Sequence, residues 1–309
     1  MSSPAIQCDR LSKRFGEISA LSELTLEVQA GQVTGYLGPN GAGKTTTIRI
    51  LMGLSCPTGG TFQVLGGSPQ DPAVRARIGY LPGELRLDER FRGGELLEHW
   101  SRLRGGVDHH HRVRLCERLD LDPSRPVRTL STGNRRKVGL VGAFQSRPDL
   151  LILDEPTSGL DPLVQAEFLL LVREAREAGG TVFLSSHALA EVQRAADRVA
   201  VIRQGRLLTE TTVDALRHSA VQRIEVWFAG EPPEPELHQI ATLRDLAVEG
   251  GHVSFTMTGD LDPLLALLAT QSVRSLIARE PDLEEAFLAL YQDRGEAPRP
   301  GDRLGASPT

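Results

Sequence analysis

Residues 38–46 read Gly-Pro-Asn-Gly-Ala-Gly-Lys-Thr-Thr, and this stretch decides the fold. It satisfies Gly-x-x-x-x-Gly-Lys-Ser/Thr, a pattern whose backbone wraps phosphate. The apolar run Val33–Leu37 precedes it and Thr46–Leu51 follows with helical composition, so the expected context is strand, loop, helix. Gly38, Gly41 and Gly43 let the chain turn so that successive N–H groups point at one anion. The N-terminal end of the helix adds its positive dipole to the same site. The whole loop, Gly38, Pro39, Asn40, Gly41, Ala42, Gly43, Lys44, Thr45 and Thr46, is therefore expected to line a nucleotide's phosphates. Lys44 would reach the β- and γ-phosphates, and the Thr45 hydroxyl would ligate Mg²⁺.

A phosphate loop alone admits kinases, GTPases, helicases and transport ATPases. Leu150-Leu151-Ile152-Leu153 is a continuous apolar run, as expected of a strand covered on both faces of a parallel sheet, and it ends in Asp154-Glu155. Asp154 can hold Mg²⁺ through its water shell. Glu155 can polarise a water in line with the γ-phosphate, as the general base of hydrolysis. Two acids at a strand end could also be a solvated loop, but Lys44 in the same chain favours the functional reading.

Three more segments narrow the class. Leu130-Ser131-Thr132-Gly133-Asn134 resembles the signature sequence of ATP-binding-cassette (ABC) ATPases and precedes Asp154 at the spacing that family shows. Ser158-Gly159-Leu160-Asp161 resembles its D-loop, and Thr181-Val182-Phe183-Leu184-Ser185-Ser186-His187 resembles the strand that ends in its switch histidine. Each is weak alone; in this order, with residues 38–46 and 150–155, they make a strong resemblance to an ABC nucleotide-binding domain over about residues 4–215. The fold expected is an α/β P-loop NTPase of ABC type: a parallel core sheet, an antiparallel β subdomain and a helical subdomain over about 91–140, the whole domain ending near 216.

That resemblance implies a head-to-tail dimer with ATP between one copy's phosphate loop and the other's signature. Ser131 and the Gly133 backbone would bind the γ-phosphate across the interface, and Asp161 would link the two sites. His187 would contact the γ-phosphate and hold the attacking water with Glu155. Phe15, in Leu11-Ser12-Lys13-Arg14-Phe15-Gly16, would stack on adenine; its alternative is a strand-end aromatic in the core. The partners implied are a second copy and a separate transmembrane permease, which would hold the chain at the cytoplasmic face of the membrane.

The sequence departs from the family in places. In Ile78-Gly79-Tyr80-Leu81-Pro82-Gly83-Glu84, Gly83 stands where the family's Q-loop carries glutamine, whose carbonyl goes to Mg²⁺. Either Glu84 substitutes as a metal ligand or the metal keeps an extra water. Asn134 replaces the signature's final glutamine, and Phe15 the commoner tyrosine.

Composition fits this class. The formal charge of −5 gives no nucleic-acid footprint. Three lysines against thirty-two arginines point to GC-rich bacterial coding. Cys8, Cys56 and Cys116 are scattered and odd in number, which suits a reducing cytoplasm. The longest apolar stretch, near Pro263–Ala269, is far short of the roughly twenty residues that span a bilayer.

Gly94–Trp100 and Val113–Leu121 carry helical spacing, with Asp108-His109-His110-His111 expected as a solvated loop between them. Arg135-Arg136-Lys137 reads as a solvated or interface face. From 217 to 292 a small α/β domain is expected: strands at Arg223–Phe228 and His252–Met257, helices at Pro235–Leu243, Asp260–Ala269 and Asp282–Tyr291, the last two with good N-caps. Pro281–Leu288 resembles the C-terminal extension of drug- and antibiotic-exporting ABC ATPases, and residues 293–309 read as disordered. The leading function is thus the ATPase of a bacterial exporter, with drugs or antibiotics as the expected cargo. The alternatives are a soluble ABC ATPase acting on DNA or ribosomes, disfavoured by a single cassette without a coiled-coil insertion, and an importer, disfavoured by a tail that is not a β-barrel.

Overall fold

The computed structural model describes residues 3–219 and 221–278, with 217–219 by their backbone alone. The chain divides into two compact units at Glu210/Thr211, a few residues before the boundary expected at 216. The first unit is layered. Strands β1 (Ile6–Phe15), β2 (Ile18–Val28) and β4 (Gly59–Val64) form an antiparallel sheet in the order β2-β1-β4. The central sheet has β3 (Val33–Leu37), β5 (Ile78–Leu81), β6 (Leu150–Asp154), β7 (Thr181–Ser186), β8 (Arg198–Arg203) and β9 (Arg206–Thr212), in the order β5-β6-β7-β3-β8-β9. Its pairs β5/β6, β6/β7, β7/β3 and β3/β8 are parallel.

Every residue of β3, β6 and β7 is buried, which is why these strands read as unbroken apolar runs and not as alternation. On one side, Tyr36, Ile152, Phe183 and Ile202 pack with Ile48 and Leu51 of α1 (Lys44–Leu51) and with Ile6, Leu11 and Leu26 of the antiparallel sheet. On the other lie α6 (Pro162–Glu177) and α7 (Leu189–Ala195). Gly35 points there, and Val192 of α7 comes so close that an added Cβ would sit 2.2 Å from its Cγ1. The short α2 (Pro72–Ala76) packs against β5.

The helical region holds α3 (Gly93–Leu103), α4 (His109–Arg118) and α5 (Thr132–Phe144). The three histidines are not a loop. They form the first turn of α4, because Asp108 caps it by accepting from the His110 N–H at 2.9 Å. Arg112 on the next turn contacts His109 Nδ1 at 3.1 Å. The helix also stops at Arg118, short of the expected Leu121, with Asp120 in the left-handed region at φ 48°.

The second unit opens with α8 (Val213–Ser219) and then builds an antiparallel sheet in the order β11-β12-β10-β13. Its strands are β10 (Gln222–Phe228), β11 (Leu243–Glu249), β12 (His252–Met257) and β13 (Val273–Ala278). Ile224, Val226, Phe228, Val253 and Phe255 form its core with Leu237 of α9 (Glu234–His238) and Leu264 of α10 (Asp262–Leu268). Two expectations need correction. The helix expected over Pro235–Leu243 ends at His238, because Leu243 starts a strand that pairs with β12. The helix expected from Asp260 starts two residues later, at Asp262, with Leu261 at its N-cap position. The helix expected at Asp282–Tyr291, the extension at Pro281–Leu288 and the tail from 293 lie outside the described residues. Among the described residues no helix is long and apolar enough to cross a membrane.

Candidate functional site

The loop at 38–46 leaves β3 and enters α1 through Gly43, whose φ of 110° excludes other residues and whose added Cβ would meet the Ala20 carbonyl at 2.7 Å. No side chain caps α1, so the N–H groups of its first turn are left to face an anion. Lys44 is 6% exposed. Its ammonium donates to Gly38 O at 2.5 Å and Pro39 O at 3.3 Å, and lies 3.3 Å from Glu155 Oε1.

The parallel register of β6 and β7 sets Ser185 opposite Asp154. Asp154 is fully buried and receives two hydroxyls: Thr45 Oγ1 donates to Oδ2 at 2.9 Å and Ser185 Oγ to Oδ1 at 2.6 Å. Ser185 Oγ also accepts from the Glu155 N–H at 3.0 Å. Glu155 itself has φ 49°, a conformation that costs a non-glycine residue energy and that the surroundings must hold. Its Oε2 meets His187 Nδ1 at 2.7 Å. Its Oε1 is buried and makes no hydrogen bond among the described residues, facing only the Lys44 charge.

Thus the structure brings Lys44, Thr45, Asp154, Glu155 and His187 into one cluster. Such a cluster can hold a polyphosphate at the loop, a hard divalent cation at the Thr45 and Asp154 oxygens, and a water at the unbonded Glu155 oxygen. Ser185 belongs to it and escaped the sequence reading, although it stands two residues before His187. Glu191 was missed as well. Its carboxylate accepts from Thr157 Oγ1 at 2.6 Å and from Ser186 Oγ at 2.7 Å, tying the chain after Glu155 to the chain before His187.

The other expected residues lie apart from this cluster. Ser131 caps α5 by accepting from the Asn134 N–H at 3.2 Å, and Asp161 caps α6 by accepting from the Val164 N–H at 3.0 Å. That backbone bond holds the Asp161 carboxyl below the usual carboxylate range. Gly133 approaches the Gly159 carbonyl so closely that a Cβ would lie 2.7 Å away, joining signature and D-loop segments within one chain. Phe15 is 53% exposed at the end of β1, not in the core, with Lys13 Nζ 4.8 Å from its ring centre. Glu84 is 87% exposed, and its partner is Arg86; the structure does not gather it with Thr45 and Asp154.

The basic run after the signature departs from the solvated or interface face expected of it. Arg136 and Lys137 are buried, at 5% and 6% exposure. Lys137 donates to Asp120 O at 3.1 Å. Arg136 donates to Pro82 O at 3.0 Å, Gly83 O and Asp154 O at 2.8 Å each, and also to Glu155 O. Arg135 alone stays at the surface, pairing with Glu89 at 3.0 Å.

Comparison with known proteins agrees with this geometry. A family model described as ABC transporter matches residues 21–158. The chain is 35% identical to the daunorubicin resistance ATP-binding protein DrrA3 of Streptomyces coeruleorubidus, over 95% of this chain and 98% of that protein. It is 33% identical to the Nod factor export ATP-binding protein I of Ralstonia nicotianae, over 94% of each. Among solved structures, an ATP-binding subunit of an ABC transporter is 30% identical, with a TM-score of 0.64 over 69% of this chain and 92% of its own. A dimeric ATP-binding cassette in a post-hydrolysis state, with ADP and Pi bound, shares the fold at 21% identity and a TM-score of 0.62, over 67% of this chain and 98% of its own.

Proposed function

The chain belongs to the ABC transporter ATPases, and from that premise we propose that it energises a bacterial exporter by hydrolysing ATP beside a separately encoded permease. Two copies would meet head to tail at the cytoplasmic face of the membrane. The observation that supports this most is the division of the Glu155 carboxylate, with Oε2 on His187 and Oε1 unbonded beside Lys44.

In this reading the loop N–H groups and Lys44 bind the β- and γ-phosphates, exchanging the lysine's present carbonyl partners for phosphate oxygens. Glu155 Oε1 accepts a hydrogen from the attacking water, while His187 fixes the orientation of the carboxylate from its other oxygen. Mg²⁺ fits the Thr45 hydroxyl and Asp154 carboxylate, two hard oxygen donors 2.9 Å apart, and when bound it would neutralise charge on the phosphates. Ser131 and Gly133 of one copy complete the other's site, with Asp161 between them, and Phe15 receives the adenine. A drug or antibiotic cargo is supported by the daunorubicin resistance relative.

Co-expression with the protein encoded by the neighbouring open reading frame, expected to be the permease, tests the proposal. The chain should move to the membrane fraction and hydrolyse ATP faster there. A chain that stays soluble beside that protein, with an unchanged rate, argues for a soluble ATPase instead.

A further inference from the structure

In the family pattern a glutamine side chain from the loop after β5 reaches the metal. Here that position is Gly83, and there is no room for a side chain. A Cβ on Gly83 would lie 2.9 Å from Asp154 Oδ2 and 3.2 Å from its Cγ, closer than a real Cβ contact. The loop meets the site through its backbone.

What holds that backbone is Arg136. Its guanidinium leaves α5 one turn after the Ser131 cap and reaches five carbonyls on two separate segments: Pro82 and Gly83 on the loop, and Asp154, Glu155 and Pro156 at and just after the end of β6. The Glu155 N–H is fixed by Ser185, so with Arg136 on its carbonyl both polar backbone groups of this left-handed residue are held from outside. Burial pushes the Arg136 pKa down, and the Asp154 and Glu155 charges oppose that push. Five carbonyls give a buried cation the partners it needs.

We propose that Arg136 is a positioning residue that replaces the missing side chain of the loop, joining Gly83, Asp154 and Glu155 to the signature helix so that a shift of α5 moves the catalytic carboxylate. The proposal rests on the reading of Glu155 as the base of ATP hydrolysis. A planar fork with several donors can serve two segments together, whereas a lysine in its place offers one ammonium that cannot span them. Restoring glutamine at position 83 should then harm the site, because its Cβ would press on Asp154.

The test uses the full-length chain, with Arg136→Lys, Gly83→Gln and Glu155→Gln beside the wild type. Arg136→Lys keeps the charge and is expected to lower kcat about tenfold or more, with KM for ATP within about twofold. Gly83→Gln is expected to lower hydrolysis and to raise the Mg²⁺ concentration needed for half-maximal rate, while metal-free ATP binding holds. Melting curves show whether each variant is folded at the assay temperature; should Arg136→Lys not be, Gly83→Gln carries the test through its Mg²⁺ dependence. An unchanged kcat in folded Arg136→Lys, a rise of KM in step with the loss of kcat, or faster hydrolysis in Gly83→Gln would overturn the proposal. A wild-type chain without ATPase activity, or one whose activity survives Glu155→Gln, instead removes the functional reading beneath it.

Discussion

His187 Nδ1 lies 2.7 Å from Glu155 Oε2, while Lys44 Nζ stands 3.3 Å from the other oxygen of the same carboxylate. A carboxylate oxygen accepts, so the imidazole donates from Nδ1 and leaves Nε2 free for a further partner. One side chain therefore faces both Lys44 and His187, the residue just after β7. In the proposed reading Glu155 and His187 differ in role: Glu155 would take the proton and His187 would orient the carboxylate.

Glu155→Gln should keep ATP binding and lower hydrolysis about 10²- to 10⁴-fold, because an amide cannot accept the proton from water. His187→Ala should cost less, since Glu155 would keep its chemistry and lose only one of its two restraints. Single-turnover hydrolysis beside a nucleotide-binding titration separates the two. A wild-type rate in Glu155→Gln would falsify the assignment of the base.

Ser185 gives a second prediction. Its hydroxyl donates to Asp154 and accepts from the Glu155 N–H, in a fully buried site. Ser185→Ala removes both bonds and should destabilise the fold by about 1–3 kcal/mol, the cost of leaving buried partners unsatisfied. It should also weaken Mg²⁺ dependence, because one Asp154 oxygen loses its restraint. Thermal melting and a Mg²⁺ titration of the ATPase rate check this; no change in either counts against a positioning role for Ser185.

The chemistry at 38–46 and 150–155 was legible because loop and strand-end motifs are contiguous in sequence, and the spacing itself encodes the geometry. The parallel sheet was legible for a similar reason, as a short apolar run such as Leu150–Leu153, followed by two acids, is what a strand buried on both faces presents. Arg136 was not legible. A run of three cations on a helix ordinarily reads as solvent-facing, and only the fold reveals five carbonyls from two distant segments converging on one of them. The strand at Leu243–Glu249 was hidden by Pro235 and the helical composition after it. Its alternation became decisive only through pairing with His252–Met257, a contact between segments that no local pattern specifies.

A third prediction addresses how complete one chain's site is. Ser131 and Asp161 cap helices and make no hydrogen bond to residues 38–46 among the described residues. If a second copy supplies the signature, hydrolysis should rise more than linearly with protein concentration. Lys44→Ala and Ser131→Arg chains should each be inactive alone, yet a mixture should recover part of the rate. The recovered site would join the Ser131→Arg chain's loop to the Lys44→Ala chain's signature. Activity in either variant by itself, or none in the mixture, speaks against a shared site.

The last prediction concerns Phe15. At 53% exposure its ring contributes little to the core, and the Lys13 ammonium lies over one face, 4.8 Å from its centre. Replacing such a residue should shift the melting temperature little, so any loss of function belongs to binding. Stacking of a base on an aromatic ring contributes about 1–3 kcal/mol, which corresponds to roughly fivefold to a hundredfold in affinity. Phe15→Ala should weaken ATP binding within that range, whereas Phe15→Trp should preserve it. Triphosphate without a base should bind both variants and the wild type alike, since its contacts lie at the loop. An ATP affinity in Phe15→Ala equal to that of the wild type would return this ring to a solvent-exposed residue at the end of β1.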